Sequence, residues 1–403
     1  MNTTTQGRKL RLTTTQAEGA PVEELGLVVD GALPADLDGT FLQGRPHPAS
    51  RSTPLLVDGI RLHGGTAERF RAVDTRSQPC PFGPVPRLAE PVRMAGTPEC
   101  GGASMAAWPV PDGASAEWHT VVTSPDRDHA EHLVVDGMGE VVHGTSFPLA
   151  DAPLVHTIAV TARHLVVLDL PVAYRRAADM VGEREPFVWR SDRGARIGLV
   201  PRSPEQPGAP VWFDVEPGFA FQLVGAYEDG DHVVVDAVWH PMAFDRPAFG
   251  EAGAAAPLLR WTLDPRGGEV SVRGLTGPVR HAVAAPVTTG LPAHVFTVAA
   301  AGTGTVLARH DVATGDVLTH ELGAGLVAGQ PVMVRRAGAE GAGEDGAWLL
   351  LPVERVATRE LELLVVDAAD PAAGPVAVVR VPGGPRPGVR ALWRPAGIRP
   401  GIH

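Results

Sequence analysis

Residues 153–174 read PLVHTIAVTARHLVVLDLPVAY, and the fold turns on how that stretch is taken. His156 heads a β-branched run, a polar break falls at residues 161–163, and a second apolar run follows over residues 164–170. Two short runs rich in Val, Ile and Leu with a brief break predict neighbouring sheet strands, because β-branched side chains pack well on a pleated surface and lose rotamer freedom in a helix. His156 then sits on a rigid element near a strand end, with apolar neighbours. A histidine in that setting is more often a hydrogen-bonded core residue than a ligand, so the rest of the chain must decide its role.

The same pattern recurs on both sides. HTVVT (119–123), HLVVDG (132–137), HVVVDAVW (232–239), LLRWTLDP (258–265), HVFTVAAAG (294–302), AWLLLPVE (347–354), ELELLVVDAAD (360–370) and VAVVRVPGG (376–384) are all short apolar runs. Asp-Gly, Gly-Asp and Asp-Pro pairs punctuate them, which predicts turns between antiparallel strands. A long series of such units in 403 residues fits one closed all-β domain, a β-propeller in preference to a large sandwich. No dipeptide recurs at a fixed period, so the number of blades is not readable from repeats. Helical periodicity is scarce. Residues 173–185, AYRRAADMVGERE, predict a short helix or capping segment, and residues 337–346, AGAEGAGEDG, a surface loop. Residues 1–18 are polar and Thr-rich and predict a disordered tail, leaving residues 19–403 as one domain.

Composition removes several classes of function. The formal net charge of −11 disfavours nucleic acid and anionic membrane surfaces, which select clustered basic residues. Lys9 is the only lysine, in the predicted tail, so Schiff-base chemistry has no candidate. Cys80 and Cys100 make neither a disulfide framework nor a Cys-based zinc site. No run reaches transmembrane length and the start lacks a signal-peptide core, so the expectation is a cytoplasmic protein without an integral membrane segment.

Several stretches in order resemble the carotenoid cleavage oxygenase family, which also includes stilbene-cleaving enzymes and a retinoid isomerase. GALPADLDGTFLQGRPHP (31–48) is similar to its N-terminal signature, residues 153–172 to its second histidine motif, and GARIGLVPR (194–202) to the segment that follows. PGFAFQLVGAYEDGDHVVVDAVWHP (217–241) resembles the third histidine motif, and LLRWTLDPRGGEV, GQPVMVRR, EDGAWLLLPV and ELELLVVDAADPAAGPVAVVRVP resemble later blades. The resemblance implies a seven-bladed β-propeller with a small helical cap over an apolar tunnel. It also implies an axial iron held by four histidines from four blades, with glutamates orienting some of them.

Matched residue by residue, only one of those histidines is kept. The first motif falls on Ala106, Ala107, Trp108 and Pro109, placing Trp108 at a ligand position. The second keeps His156, although Thr157 and Ile158 replace its usual Asp-Phe. The third puts Gln222 after Phe221 at the ligand position, with Gly225 for the usual Asn. The fourth aligns with Gly388, Val389, Arg390 and Ala391 before Trp393, so Arg390 takes the last ligand place. A family glutamate falls near Arg280. Indole offers iron no lone pair, a carboxamide oxygen is a weak ligand, and guanidinium is a permanent cation, so the expectation is that iron is absent and no other cofactor replaces it. His119, His129, His132, His143 and His403 are spare imidazoles. DRDHAEH (126–132) groups ligand types but predicts a solvated hairpin turn, and His403 predicts an exposed tail position.

Two readings of the altered axis follow. In the first, the chain is a metal-independent enzyme for an apolar isoprenoid or polyene molecule: His156 acts as acid or base, Arg390 and Gln222 complete the catalytic set, and Trp108, Arg280, Phe221 and Trp393 line the substrate. Isomerisation, cyclisation or elimination suits that set, and Arg390 suits a substrate with an anionic group. In the second, the chain binds an apolar ligand or another protein without catalysis, and the polar axial residues only satisfy a buried hole. An Fe(II) dioxygenase with rearranged ligands stands as a further alternative.

Overall fold

A computed structural model of the chain describes residues 25–46, 55–74, 78–80, 83–85, 105–107, 109–112, 115, 117–125, 127–136, 141–180, 187–202, 208–243, 255–285, 290–338, 346–382 and 390–396. Strand dominates. Among these residues, helix is confined to Arg176–Met180 and the 3-10 turn Pro371–Ala373. The predicted helix over residues 173–185 thus begins as the end of the strand Val172–Tyr174, continues as Arg176–Met180, and then passes outside the described residues.

The strands form six sheets of four to six strands and two of two strands. Each of three sheets is built from consecutive chain, as in Phe219–Asp229, His232–His240, Ala256–Leu263 and Val270–Val279 in antiparallel order. The first of these hairpins turns at Gly230, whose φ of 60° lies in the left-handed region that glycine enters without a Cβ clash. Ile158–Val160 pairs with His164–Asp169, as the central stretch predicts, and that strand continues onto Ala195–Pro201 and Val211–Val215.

The innermost strands of successive sheets touch in sequence. Ile158–Val160 packs on Phe219–Asp229, that strand on His281–Ala284, that one on Val332–Arg335, and that one on Arg390–Pro395. Apolar clusters fill the spaces between sheets. One joins Val121, Phe147 and Leu149 to Ile158, Leu165 and Val167; another joins Val234 and Leu258 to Ala282 and Val295. A middle strand therefore buries both faces, which explains why His164–Asp169 and His232–His240 read as continuous apolar runs and not as alternation. Outer strands such as Val270–Val279 and Val317–Ala324 are mostly exposed.

The two ends of the described chain are interlaced. Val28–Gly31 pairs with Pro375–Val381 in one sheet, whereas Gly39–Pro46 pairs with Arg390–Pro395 in the next. The Gly- and Pro-spaced stretch of residues 29–48 is thus a crossing between two sheets. Predicted features at residues 1–18 and 403, and most of 337–346, fall outside the described residues.

Candidate functional site

His156 immediately precedes the innermost strand Ile158–Val160 and is 5% exposed. Its Nε2 lies 3.3 Å from the carbonyl oxygen of Phe221, on the innermost strand of the next sheet, which fits a ring N–H donating to that carbonyl. Its ring stacks on Phe219 with centroids 5.2 Å apart and an interplanar angle of 14°. Phe221 meets Phe219 edge-on at 4.9 Å and His240 edge-on at 4.7 Å. The structure thus brings His156 and the Phe221 backbone together.

Gln222 follows at a register irregularity between Ala220 and Gln222 that breaks strict alternation on this strand. Its amide nitrogen donates to the Ala282 carbonyl at 2.5 Å, and its amide oxygen accepts from the Ala282 backbone N–H at 3.1 Å. The carboxamide therefore acts as a two-point clip between adjacent innermost strands. Arg280 stands just before His281–Ala284, partly buried, with its backbone N–H donating to Val298 at 2.7 Å. Trp393, by contrast, lies opposite Phe41 and packs into the apolar cluster between the first and last sheets; a Cβ on Gly39 would sit 2.5 Å from its ring. Arg390 opens its strand opposite Gly44, and its side chain, like all of Trp108, lies outside the described residues.

Two further histidines join this neighbourhood that sequence reading passed over. His240 ends the strand His232–His240, and burial lowers its pKa to about 4. His281, beside the Ala282 clip, is lowered to about 4 by burial and then by the charge of Arg280. Both are neutral imidazoles at ordinary pH. The signal for His240 was its place at the end of a strongly apolar run just before Pro241.

The iron that the resemblance implies requires several neutral donors aimed at one point. Of the four implied positions, His156 keeps an imidazole, Gln222 spends both amide atoms on Ala282, and tryptophan and arginine side chains supply no donor pair for a dication. Nor do His156, His240 and His281 converge: among the described residues, only Asp112, Glu117 and His119 bring three donor atoms within 4.8 Å of one another. The residues described at the axis do not fit a four-imidazole iron centre.

The Asp112 group lies elsewhere, and a guanidinium is threaded through it. An Arg202 terminal nitrogen is 2.5 Å from Asp112 Oδ2 and 3.4 Å from His119 Nε2. Since guanidinium only donates, His119 Nε2 accepts, its Nδ1 carries the proton, and that N–H donates to His132 Nε2 at 2.9 Å. Burial and then Arg202 lower the pKa of His119 to about 4; burial, His119, His143 and Arg202 lower that of His132 to about 3. The solvated turn predicted over residues 126–132 is therefore corrected. His129–Val135 is a strand, His132 is 1% exposed, and Glu131 is buried against Arg127 at 2.6 Å. His132 is covered by His119 of the adjacent strand, which Arg202 of the neighbouring sheet meets in turn, a chain of contacts no local pattern encodes.

Comparison with known proteins agrees with the fold. The chain is 23% identical to a carotenoid cleavage oxygenase of Mycobacterium tuberculosis over 92% of this chain and 94% of that one. It is 23% identical to the apocarotenoid-15,15'-oxygenase of Synechocystis over 62% of this chain and 53% of that one. Among solved structures, Pseudomonas brassicacearum lignostilbene dioxygenase superposes with a TM-score of 0.75 at 20% identity, covering 93% of this chain and 96% of that one. Cobalt-substituted Synechocystis ACO gives 0.74 at 19% identity, with the same coverage. The all-β architecture is thus that of the carotenoid oxygenase propeller. The model of the RPE65 family, the retinal pigment epithelial membrane protein, matches residues 89–395, and the chain belongs to that family.

Proposed function

We propose that this family member works without iron on an apolar isoprenoid- or polyene-type molecule in an axial tunnel, by a non-oxidative isomerisation, cyclisation or elimination. The observation that carries this reading is the Gln222 clip. At the third of the implied ligand positions, a carboxamide has both polar atoms committed to Ala282, so that position ties two sheets together instead of offering a donor to a metal. His156, on a rigid strand start and against phenyl rings, is the acid or base. Arg390 binds a carboxylate, a phosphate or a developing oxyanion, and Trp108 stacks on a conjugated or cationic centre. None of these steps activates oxygen.

Metal analysis of the purified chain is the direct test, with well under one iron per chain expected. Incubation with an apocarotenoid under nitrogen and with a ferrous chelator should give a product of unchanged mass or of mass reduced by water. About one iron per chain, with turnover that stops without oxygen, overturns the proposal. The same metal analysis decides the alternative of an Fe(II) dioxygenase with rearranged ligands. Tight ligand binding with no product under any of these conditions would support the non-catalytic reading.

A further inference from the structure

His240 pairs with Phe219 in the ladder and stands one strand outward from the innermost strand of its sheet. The His156 ring stacks on Phe219, and the Phe221 carbonyl lies beside His156 Nε2, while the Phe221 ring meets His240. Two imidazoles therefore flank one pair of phenylalanines, one toward each side. His240 is 6% exposed and makes no hydrogen bond or ion pair with any described residue. Burial is the one influence on its protonation, and it keeps the ring neutral to about pH 4. Its ring nitrogens are not among the fully buried side-chain atoms that lack a partner, so the edge of an otherwise buried ring keeps some accessible surface.

That edge must be satisfied by water or by a ligand, whereas an apolar side chain would fill the same volume without the need. We infer that His240 is a substrate-binding residue of the axial site, forming a hydrogen bond with a neutral oxygen function, a hydroxyl or a carbonyl, on an otherwise apolar conjugated molecule. The inference rests on the proposed use of the axial site by such a molecule. A neutral imidazole presents one donor and one acceptor, which suits an alcohol, phenol or aldehyde, and it offers no charge to pair with a carboxylate. The edge and face of Phe219 and Phe221 supply the surface for the conjugated part. His240 then sets where along the substrate the oxygen function falls relative to His156.

Fluorescence titration of the full chain with trans-4-hydroxystilbene and trans-stilbene tests this, because the probes differ by one hydroxyl. The wild-type chain should bind the hydroxylated probe about 5- to 10-fold more tightly, the effect of one net hydrogen bond. His240→Phe should bind the two probes equally, and His240→Gln, which keeps a donor and an acceptor, should restore part of the preference; thermal melts establish that both variants fold. Equal binding of the two probes by the wild-type chain, or a preference that survives in His240→Phe, overturns the inference and leaves the axial reading standing. Failure of the wild-type chain to bind either probe overturns the axial reading, and the inference with it.

Discussion

The short strand Ile158–Val160, about 7 Å from end to end at the usual rise per residue, has unlike surroundings before and after it. At the His156 end, phenyl and imidazole rings and one amide meet, and the contacts are stacks and hydrogen bonds. At the other end, Thr161, Arg163 and His164 are held by Glu228 of the next sheet and by Arg202 of their own sheet. Glu228 accepts from the Thr161 hydroxyl at 2.5 Å and from Arg163 Nε at 2.8 Å, while Arg202 donates to the Thr161 carbonyl at 2.6 Å and reaches on to Asp112. Burial of Glu228 opposes its ionisation, but the hydrogen bonds from Arg163 and Thr161 outweigh that and hold its carboxyl below the usual range. The difference teaches that one end of a blade does the holding, which leaves the other end open to change its chemistry. On the proposed reading, the positions that the resemblance assigns to iron ligands are replaced without breaking these charged ties.

The largest expected effect concerns acid. A histidine kept neutral in the fold, but protonating near 6.5 when unfolded, lets the unfolded chain take up protons first as pH falls. Stability should therefore be flat above about pH 7 and fall from 6.5 toward 4, by about 3 kcal/mol for a shift of the size seen at His119. Urea denaturation at a series of pH values measures this. His132→Gln should remove part of the fall; an unchanged slope would move its source to His240 and His281 at the axial end and break the contrast drawn above.

Next in size is Asp112→Asn, which leaves Arg202 without its carboxylate in a mostly buried place and should lower unfolding stability by about 2–3 kcal/mol at neutral pH. A loss below about 0.5 kcal/mol would mean that the ionic end does not hold the sheets. Smallest is Gln222→Leu, which strips both hydrogen bonds from the Ala282 backbone and should cost about 1–2 kcal/mol. A cost exceeding that of Asp112→Asn would make the axial end the stronger tie.

Much of the architecture was legible because sandwiched strands need apolar residues on both faces. HLVVLD and HVVVDAVW could be little else, and the Glu-Asp-Gly-Asp sequence between residues 228 and 231 marks its hairpin. The family resemblance singled out His156 and Phe221 as candidate site residues, and the contact between them appears only in the structure. What escaped were contacts between sheets. His132 looked solvated because its partner, His119, comes from another strand and is itself met by Arg202 of another sheet. The Gln222 clip depends on Ala282, sixty residues further on, and His240 gains its meaning only once the Phe221 ring lies against it.

The interlacing of the two ends has a consequence for biosynthesis. Gly39–Pro46 emerges from the ribosome early, yet its partner Arg390–Pro395 is made after every other described strand, and Val28–Gly31 waits similarly for Pro375–Val381. A nascent chain must therefore carry two unfinished sheet edges while all the strands between these partners are made, where a chaperone would find them.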